Sequence, residues 1–298
     1  MTGDFGLVEP AEADAPGDEW EEIDYTDTDA DRIARKRDRE FNEFRKRIKN
    51  TEQFKVEASV FDDATYGALY KLVQDGHIAA FGGPISTGKE ANVYSALGGD
   101  AAREALGADD QPEVAVKVYR INASDFKDMR EYLEGDPRFD GLGHQKKDVV
   151  LAWVRKEFAN LRRAKQAGLR VPEPIAVDRN VLVMEYLGTE KGRAKRLSEV
   201  HIENPETAYE VVREYMRRLV EAGLVHGDLS EYNIVFHEGQ LVIIDLGQAV
   251  TVHHPNYEEF LQRDCENVAN FFARQGVDTD GDQLRAYIEA EADPESEG

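Results

Sequence analysis

At 298 residues with 41% apolar side chains, the chain can bury one large core or two modest ones, as a two-lobed enzyme does. Its 60 Asp and Glu against 37 Lys and Arg give a formal net charge of -23, which argues against non-specific nucleic-acid affinity of the body as a whole and suits a high-salt cytoplasm, where ions screen the self-repulsion. No apolar run approaches the roughly 20 residues of a membrane-spanning helix, the N-terminus lacks the basic and apolar segments of a secretory signal, and the single cysteine, Cys265, cannot close an intrachain disulfide. A cytoplasmic protein with no membrane partner is expected.

Residues 1–30 carry many acids and no Lys or Arg, which predicts a disordered acidic tail. Over 31–50 the sign reverses. Arg32, Arg35, Lys36, Arg37, Arg39, Arg45, Lys46, Arg47 and Lys49 crowd a segment with Phe41, Phe44 and Ile48 at helical spacing, a basic helix suited either to RNA or to pairing with the acidic tail. Residues 60–80 pattern as one or two short helices, with Leu69, Leu72 and Val73 on one side and Asp75-Gly76 ending the run.

After Phe81 the period changes. Residues 81–97 read as strand, polar glycine-bearing turn, strand; a Gly, Ala and Asp-rich connection runs to about Gln111, and 113–119 is a strand of alternating character containing Lys117. A lysine in such a strand, opposite a phosphate loop, is placed to grip α- and β-phosphates. Gly83 to Gly88-Lys89 matches most of a Walker A loop, but Glu90 replaces the required Ser or Thr and a strand follows where a helix is needed. The Walker reading therefore fails.

Residues 122–147 have helix-like character near 126–133 but are broken by Gly135, Pro137, Gly141 and Gly143, and a mobile loop is expected. An amphipathic helix follows over 148–166, with Val150, Trp153, Val154, Phe158 and Leu161 on its apolar side; Glu157, mid-helix, is the best carboxylate partner for Lys117, and Asp148 the rival. Residues 171–177 and 181–188 read as two strands, the second leading into the connection between lobes. Backbone groups of Glu185 and Leu187 there suit an adenine edge, with Ile85, Val93, Ala115, Met184 and Ile244 enclosing the ring.

A helix over 205–223 leads directly into residues 224–247, where Asp228, Asn233 and Asp245 flank two apolar strands joined by a turn at 237–240. Magnesium takes one or two protein oxygens and leaves positions for water and phosphate, and Asn233 with Asp245 supplies such a partial shell. Asp228 then faces an incoming nucleophile. Helices over 256–275 and about 282–290 and an acidic end complete the chain, and His253-His254 reads as a turn rather than a ligand pair.

Three strings fall in a telling order: Ser-Thr-Gly-Lys-Glu-Ala-Asn-Val-Tyr at 86–94, His226-Gly227-Asp228-Leu229-Ser230-Glu231-Tyr232-Asn233, and Ile243-Ile244-Asp245-Leu246-Gly247-Gln248. Over about residues 55–275 the chain resembles the RIO atypical serine/threonine protein kinases, and specifically their first branch. The resemblance implies an α+β, two-lobed, protein-kinase-like fold: a small N-lobe of antiparallel sheet plus helix, and a reduced helical C-lobe lacking the activation loop and peptide-binding subdomains. The divisions expected are tail and basic segment 1–50, helical extension 51–80, N-lobe 81–187, C-lobe 188–278, and C-terminal helix and tail 279–298.

On this reading Lys117, oriented by Glu157, holds the α- and β-phosphates of ATP, and Ser86, Thr87 and Lys89 with nearby backbone N–H groups cover them. Asn233 and Asp245 take magnesium, with manganese as an alternative, and Asp228 orients or deprotonates the attacking hydroxyl or water. The resemblance further implies a transient phospho-aspartate at Asp245, autophosphorylation at Ser124, and an ATPase switch in late small-ribosomal-subunit maturation, with the immature subunit and its RNA as partner. Gly227 replaces the arginine of His-Arg-Asp and Ser230 the lysine beside the γ-phosphate, and no Ala-Pro-Glu follows Asp245; these departures favour ATP binding over turnover on free proteins. The alternatives are a non-catalytic, nucleotide-sensing assembly factor and a small-molecule phosphotransferase, which shares His-Gly-Asp with a downstream Asn.

Overall fold

A computed structural model describes residue 36, residues 39–43, and residues 61–291 apart from 122–125, 134, 140, 144 and 190. The expected acidic tails, most of the basic segment and Ser124 lie outside the described residues. The chain divides into two units, 1–43 and 44–298. In the first, residues 36 and 39–43 are helical, with Lys36 and Glu40 paired at 3.8 Å.

Helix α1 (Asp63–Gln74) starts where Asp62 accepts bonds from the backbone N–H and the hydroxyl of Thr65, both at 2.7 Å, which satisfies an N–H the helix cannot bond itself. It packs Leu69 and Leu72 onto a five-stranded antiparallel sheet of order β1-β2-β3-β5-β4, formed by Ile78–Thr87, Ala91–Gly98, Glu113–Tyr119, Val181–Glu185 and Pro174–Asp178 for β1, β2, β3, β5 and β4. Central β3 pairs Lys117 with Val93 on one side and Leu182 on the other. Strand β1 begins three residues before the expected start, because buried Ile78 already pairs with Gly98.

The structure departs from the sequence pattern in two further places. The supposed Gly, Ala and Asp-rich connection holds a helix, α2 (Asp100–Leu106), since Ala101, Ala102, Arg103, Glu104, Ala105 and Leu106 are all good helix formers and Ala102 has a buried place. Part of the expected mobile loop is packed: around α3 (Phe126–Glu131) and a 3₁₀ turn at Pro137–Phe139, Met129, Leu133 and Asp136 are buried, while residues 141, 143 and 145–147 are exposed. Gly135 and Pro137 break the helix but do not expose the segment, because Tyr132 stacks on Phe260 at 5.1 Å and Arg138 forks onto Asp136.

Helix α4 (Lys146–Gln166) packs on α3, β4 and β5. Its burial exceeds a single apolar stripe, for Lys156, Glu157 and Asn160 are as buried as Val150 and Trp153. Beyond β5 come small strands β6 (Gly188–Thr189), β7 (Gly192–Arg193) and β8 (Lys195–Arg196), a 3₁₀ turn at Leu197–Glu199, and α5 (Pro205–Glu221), whose Asn204 accepts from Thr207 N–H at 3.3 Å. Strand β9 (Leu224–Val225) pairs with β12 (Val250–Thr251), and between them the hairpin β10 (Ile234–His237) and β11 (Gln240–Ile243) turns on Glu238 and Gly239 at φ of 49° and 78°. Two left-handed residues match the twist of the strands they join.

Helices α6 (Tyr257–Arg274) and α7 (Gly281–Glu291) close the fold. Val212, Met216 and Leu219 of α5, Leu261, Val268 and Phe272 of α6, and Leu284 and Ile288 of α7 share one core with Val150 and Trp153 of α4. Each large apolar side chain so buried stabilises the fold by about 1.5–3 kcal/mol, so α7 is part of the lobe rather than an appendage. No helix among the described residues is long and apolar enough to cross a membrane.

Candidate active site

Alternation along β3 puts Ala115, Lys117 and Tyr119 on one face, towards a cavity of about 610 Å³. Lys117 Nζ lies 2.8 Å from Glu157 Oε1 of α4 and 2.9 Å from Asp245 Oδ1, with Tyr119 donating its hydroxyl to the other Glu157 oxygen. Burial works against the Lys117 charge, but the Asp245 and Glu157 carboxylates outweigh it, and its pKa stands well above the ordinary lysine value. The same lysine holds the Asp245 carboxyl below the usual range. Rival Asp148 does not make this pair.

The loop before β10 is held from beneath by α6. Asp264, 2% exposed, accepts from the N–H groups of Gly227 and Leu229, both at 2.8 Å; Arg263 donates to the Gly227 carbonyl, and Asn267 to that of Leu229 at 3.2 Å. Burial pushes the Asp264 carboxyl up to about 6, against the pull of His226, the two amides and Arg263. Asp228 therefore sits exposed on a fixed loop. Asn233 donates to the Asp228 carbonyl at 2.8 Å and its carboxylate at 3.3 Å, which commits its Nδ2 and leaves Oδ1 for another partner.

Asp245 follows Ile244, whose N–H donates to the Asn233 carbonyl at 3.0 Å, and has φ of 64°. For a residue with a Cβ that conformation costs on the order of 1–3 kcal/mol and needs its surroundings to enforce it. Its side chain remains 54% exposed. Among the described residues no group of three or more His, Cys, Asp or Glu could hold a metal. Asn233 Oδ1 with Asp245 is instead a two-oxygen set, which fits magnesium shared with phosphate and water.

Ile85, Ser86, Thr87, Lys89, Val93, Ala115, Lys117, Glu157, Met184, Glu185, Leu187, Asn233, Ile244 and Asp245 all line the one cavity; Asp228, the expected catalytic base, does not, and joins it through Asn233. The Glu185 N–H donates to Glu173 at 2.8 Å and the Leu187 carbonyl accepts from Ala194 at 2.8 Å, so two of the backbone groups expected to meet an adenine edge have protein partners, and the Leu187 N–H is the donor that remains. Arg170 forks onto the Glu185 carboxylate at 2.7 and 2.5 Å, while its own carbonyl accepts from Ile243 N–H at 2.9 Å.

Sequence reasoning missed Tyr119, Arg193, Arg196 and Gln248 on the cavity wall, and Asp264 beneath the loop. Tyr119, two residues beyond Lys117 on the same face, was open to the alternation rule, and Asp264 is a lone acid among the buried Phe260, Leu261, Cys265 and Val268. Arg193 and Arg196 fall in a stretch without periodicity. A second cavity of about 580 Å³, between residues 197–204, α5 and the β10–β11 hairpin, contains none of the singled-out residues.

The family model described as RIO domain matches residues 92–284. The RIO-type serine/threonine-protein kinase Rio1 of Haloferax volcanii is 68% identical over 298 residues, all of this chain and 99% of that protein. The protein of the same description from Methanocaldococcus jannaschii is 38% identical over 261 residues, 86% of each chain. A crystal structure of the Rio2 kinase-ADP/Mg2+-phosphoaspartate complex from Chaetomium thermophilum superimposes with a TM-score of 0.56 at 21% identity, covering 78% of this chain and 67% of that one; at such identity the likeness establishes the two-lobed kinase fold.

Proposed function

The chain belongs to the RIO domain family, and from that premise we propose that it moves the γ-phosphoryl group of ATP onto a serine or threonine hydroxyl of a protein, or onto water. The observation that carries this reading is Lys117 within 3 Å of both Glu157 and Asp245, on the wall of a cavity shared with Ser86, Thr87 and Lys89. An ammonium has three donors, so Lys117 keeps one for a phosphate oxygen while Glu157 fixes its direction. Ser86, Thr87 and Lys89 cover the phosphates from above, Met184 and Ile244 flank the base, and the Leu187 N–H meets its edge.

Asn233 and Asp245 would hold magnesium, which would supply charge neutralisation at the phosphates. Asp228, turned to solvent and steadied by Asn233, accepts the proton of the attacking hydroxyl as its oxygen bonds to the γ-phosphorus and the bond to the leaving ADP oxygen breaks. Positioning and charge account for most of the acceleration. Asp245 is a second acceptor for the same group, in keeping with the phosphoaspartate of the Rio2 complex.

We assign the chain a switch role in small-subunit maturation, with hydrolysis its main turnover. Ser230 and Gly227 bring no cation to the γ-phosphate, and from Asp245 the chain reaches α6 through β12 alone, with no platform for a peptide. With labelled ATP and magnesium, wild type should transfer or release phosphate, and Asp228→Ala should lose at least about 100-fold in turnover with nucleotide affinity within about threefold. An Asp228→Ala chain turning over at the wild-type rate refutes the mechanism. Co-sedimentation with immature small subunits that does not differ between ATP and a non-hydrolysable analogue refutes the switch.

A further inference from the structure

Lys156 precedes Glu157 on α4, but its side chain leaves the helix about 100° away from it. It is fully buried. Its Nζ donates to the Gly247 carbonyl at 3.0 Å and lies 5.0 Å from the Trp153 ring and 5.7 Å from that of Tyr132, with no carboxylate paired to it among the described residues. Burial lowers its pKa to about 7, with Asp136 acting against that and Arg138 with it. A buried ammonium facing rings and one carbonyl is a costly way to fill space, which points to the carbonyl as the reason for it.

Asn160, one turn on, makes the same kind of contact. Its Nδ2 donates to the carbonyls of Leu246 at 3.1 Å and Ala249 at 2.9 Å, and its Oδ1 accepts from Arg138 at 3.1 Å, which Asp136 fixes in turn. Trp153, one turn back, closes on Gly247: a Cβ there would stand 2.9 Å from the indole nitrogen, so this position admits only glycine without a shift. Lys156 and Asn160 thus grip the carbonyls of 246, 247 and 249, with Trp153 closing on Gly247, immediately after Asp245, the residue with φ of 64°.

We propose that Lys156 and Asn160 are positioning residues for magnesium: by capturing these carbonyls they hold Asp245 in its left-handed conformation, with the carboxylate turned into the cavity beside Lys117. This rests on the reading of Asp245 as a magnesium ligand. The test uses the full-length chain and an imido analogue of ATP that cannot be hydrolysed. Binding is measured in chelator and across a magnesium titration, with thermal unfolding alongside.

Lys156→Met keeps the apolar stem and removes the donor. It should leave affinity for the metal-free analogue within about twofold of wild type and raise the half-saturating magnesium concentration about tenfold, the loss of one charge-assisted hydrogen bond's worth of order. Lys156→Arg, which restores a donor, should recover part of the shift. Should Lys156→Met fail to fold, Asn160→Ser carries the test with a shift of about threefold, since it surrenders one of two carbonyl bonds. A variant that melts earlier yet keeps the wild-type magnesium midpoint overturns the proposal, because a purely structural role predicts that outcome. A wild-type chain whose analogue binding ignores magnesium overturns the proposal together with the metal reading beneath it, and the wild-type arm reads this alone.

Discussion

The two rims of the cavity beside Lys117 are built on opposite plans. Below, the loop at 226–233 and the segment at 245–249 have their backbone groups taken by side chains of α6 and α4: buried Asp264 with half-buried Arg263 and Asn267 on one, buried Lys156 and Asn160 on the other. Above, the turn between β1 and β2 is closed by Gly88 N–H to the Ala91 carbonyl at 3.0 Å, its residues are largely exposed, and β1 slips register at three places. The difference teaches a division of labour. On the proposed reading, the groups that aim a metal and a nucleophile are fixed by hydrogen bonds from packed side chains, whereas the groups that drape over a flexible triphosphate rest on a loose edge.

The contrast breaks most severely at Asp264. Asp264→Ala strands two buried N–H groups and should cost about 2–5 kcal/mol in urea unfolding, with turnover lost beyond what stability explains. A variant within 1 kcal/mol of wild type would mean, on the scale of about 1–3 kcal/mol per orphaned group, that the lower rim does not depend on this brace.

A pH series sharpens the same point. The folded-state pKa of Asp264 is raised to about 6 from 3.8, so folding takes up a proton between these values. Its contribution to stability is fully present below about pH 4 and is lost as pH rises through 6, a swing of up to about 3 kcal/mol. Subtracting an Asp264→Asn series from the wild type cancels the other carboxylates. The difference should fall from pH 4 to 6, and a flat difference contradicts the assignment.

The smallest effect belongs to the upper rim. Lys89→Ala should change stability by less than about 0.5 kcal/mol, as for an exposed side chain, yet raise the KM for ATP several-fold with little change in kcat. A loss of kcat without a change in KM would place Lys89 among the fixed groups instead.

What the sequence made legible follows from where the forces are local. Lys117 in an alternating strand, the glycine-bearing turn before it, the hairpin at 234–243 and the long helix around Glu157 are each written in periods of two or 3.6 with glycine punctuation, and each stands where those periods put it. Helix α2 was hidden because Gly and Asp around it outweighed six good helix formers in a short run. The packing of 126–139 was hidden because Gly135 and Pro137 report only on the backbone, while Tyr132 finds Phe260 across a separation of 128 residues that no local pattern encodes. Asp264 lies 35 and 37 residues from the amides it serves, so its role emerges only once the helix is docked.

Arg170 gives the cavity a fulcrum. Its carbonyl is fastened to β11 and its guanidinium to Glu185 at the end of β5, so one residue rivets the five-stranded sheet to the hairpin that follows Asn233. Met184 stands next to this rivet, whereas Ser86 to Lys89 lie on and just beyond β1, with β2 and β3 between them and β5, so the fastening holds one end of the cavity wall and leaves the other to the sheet alone.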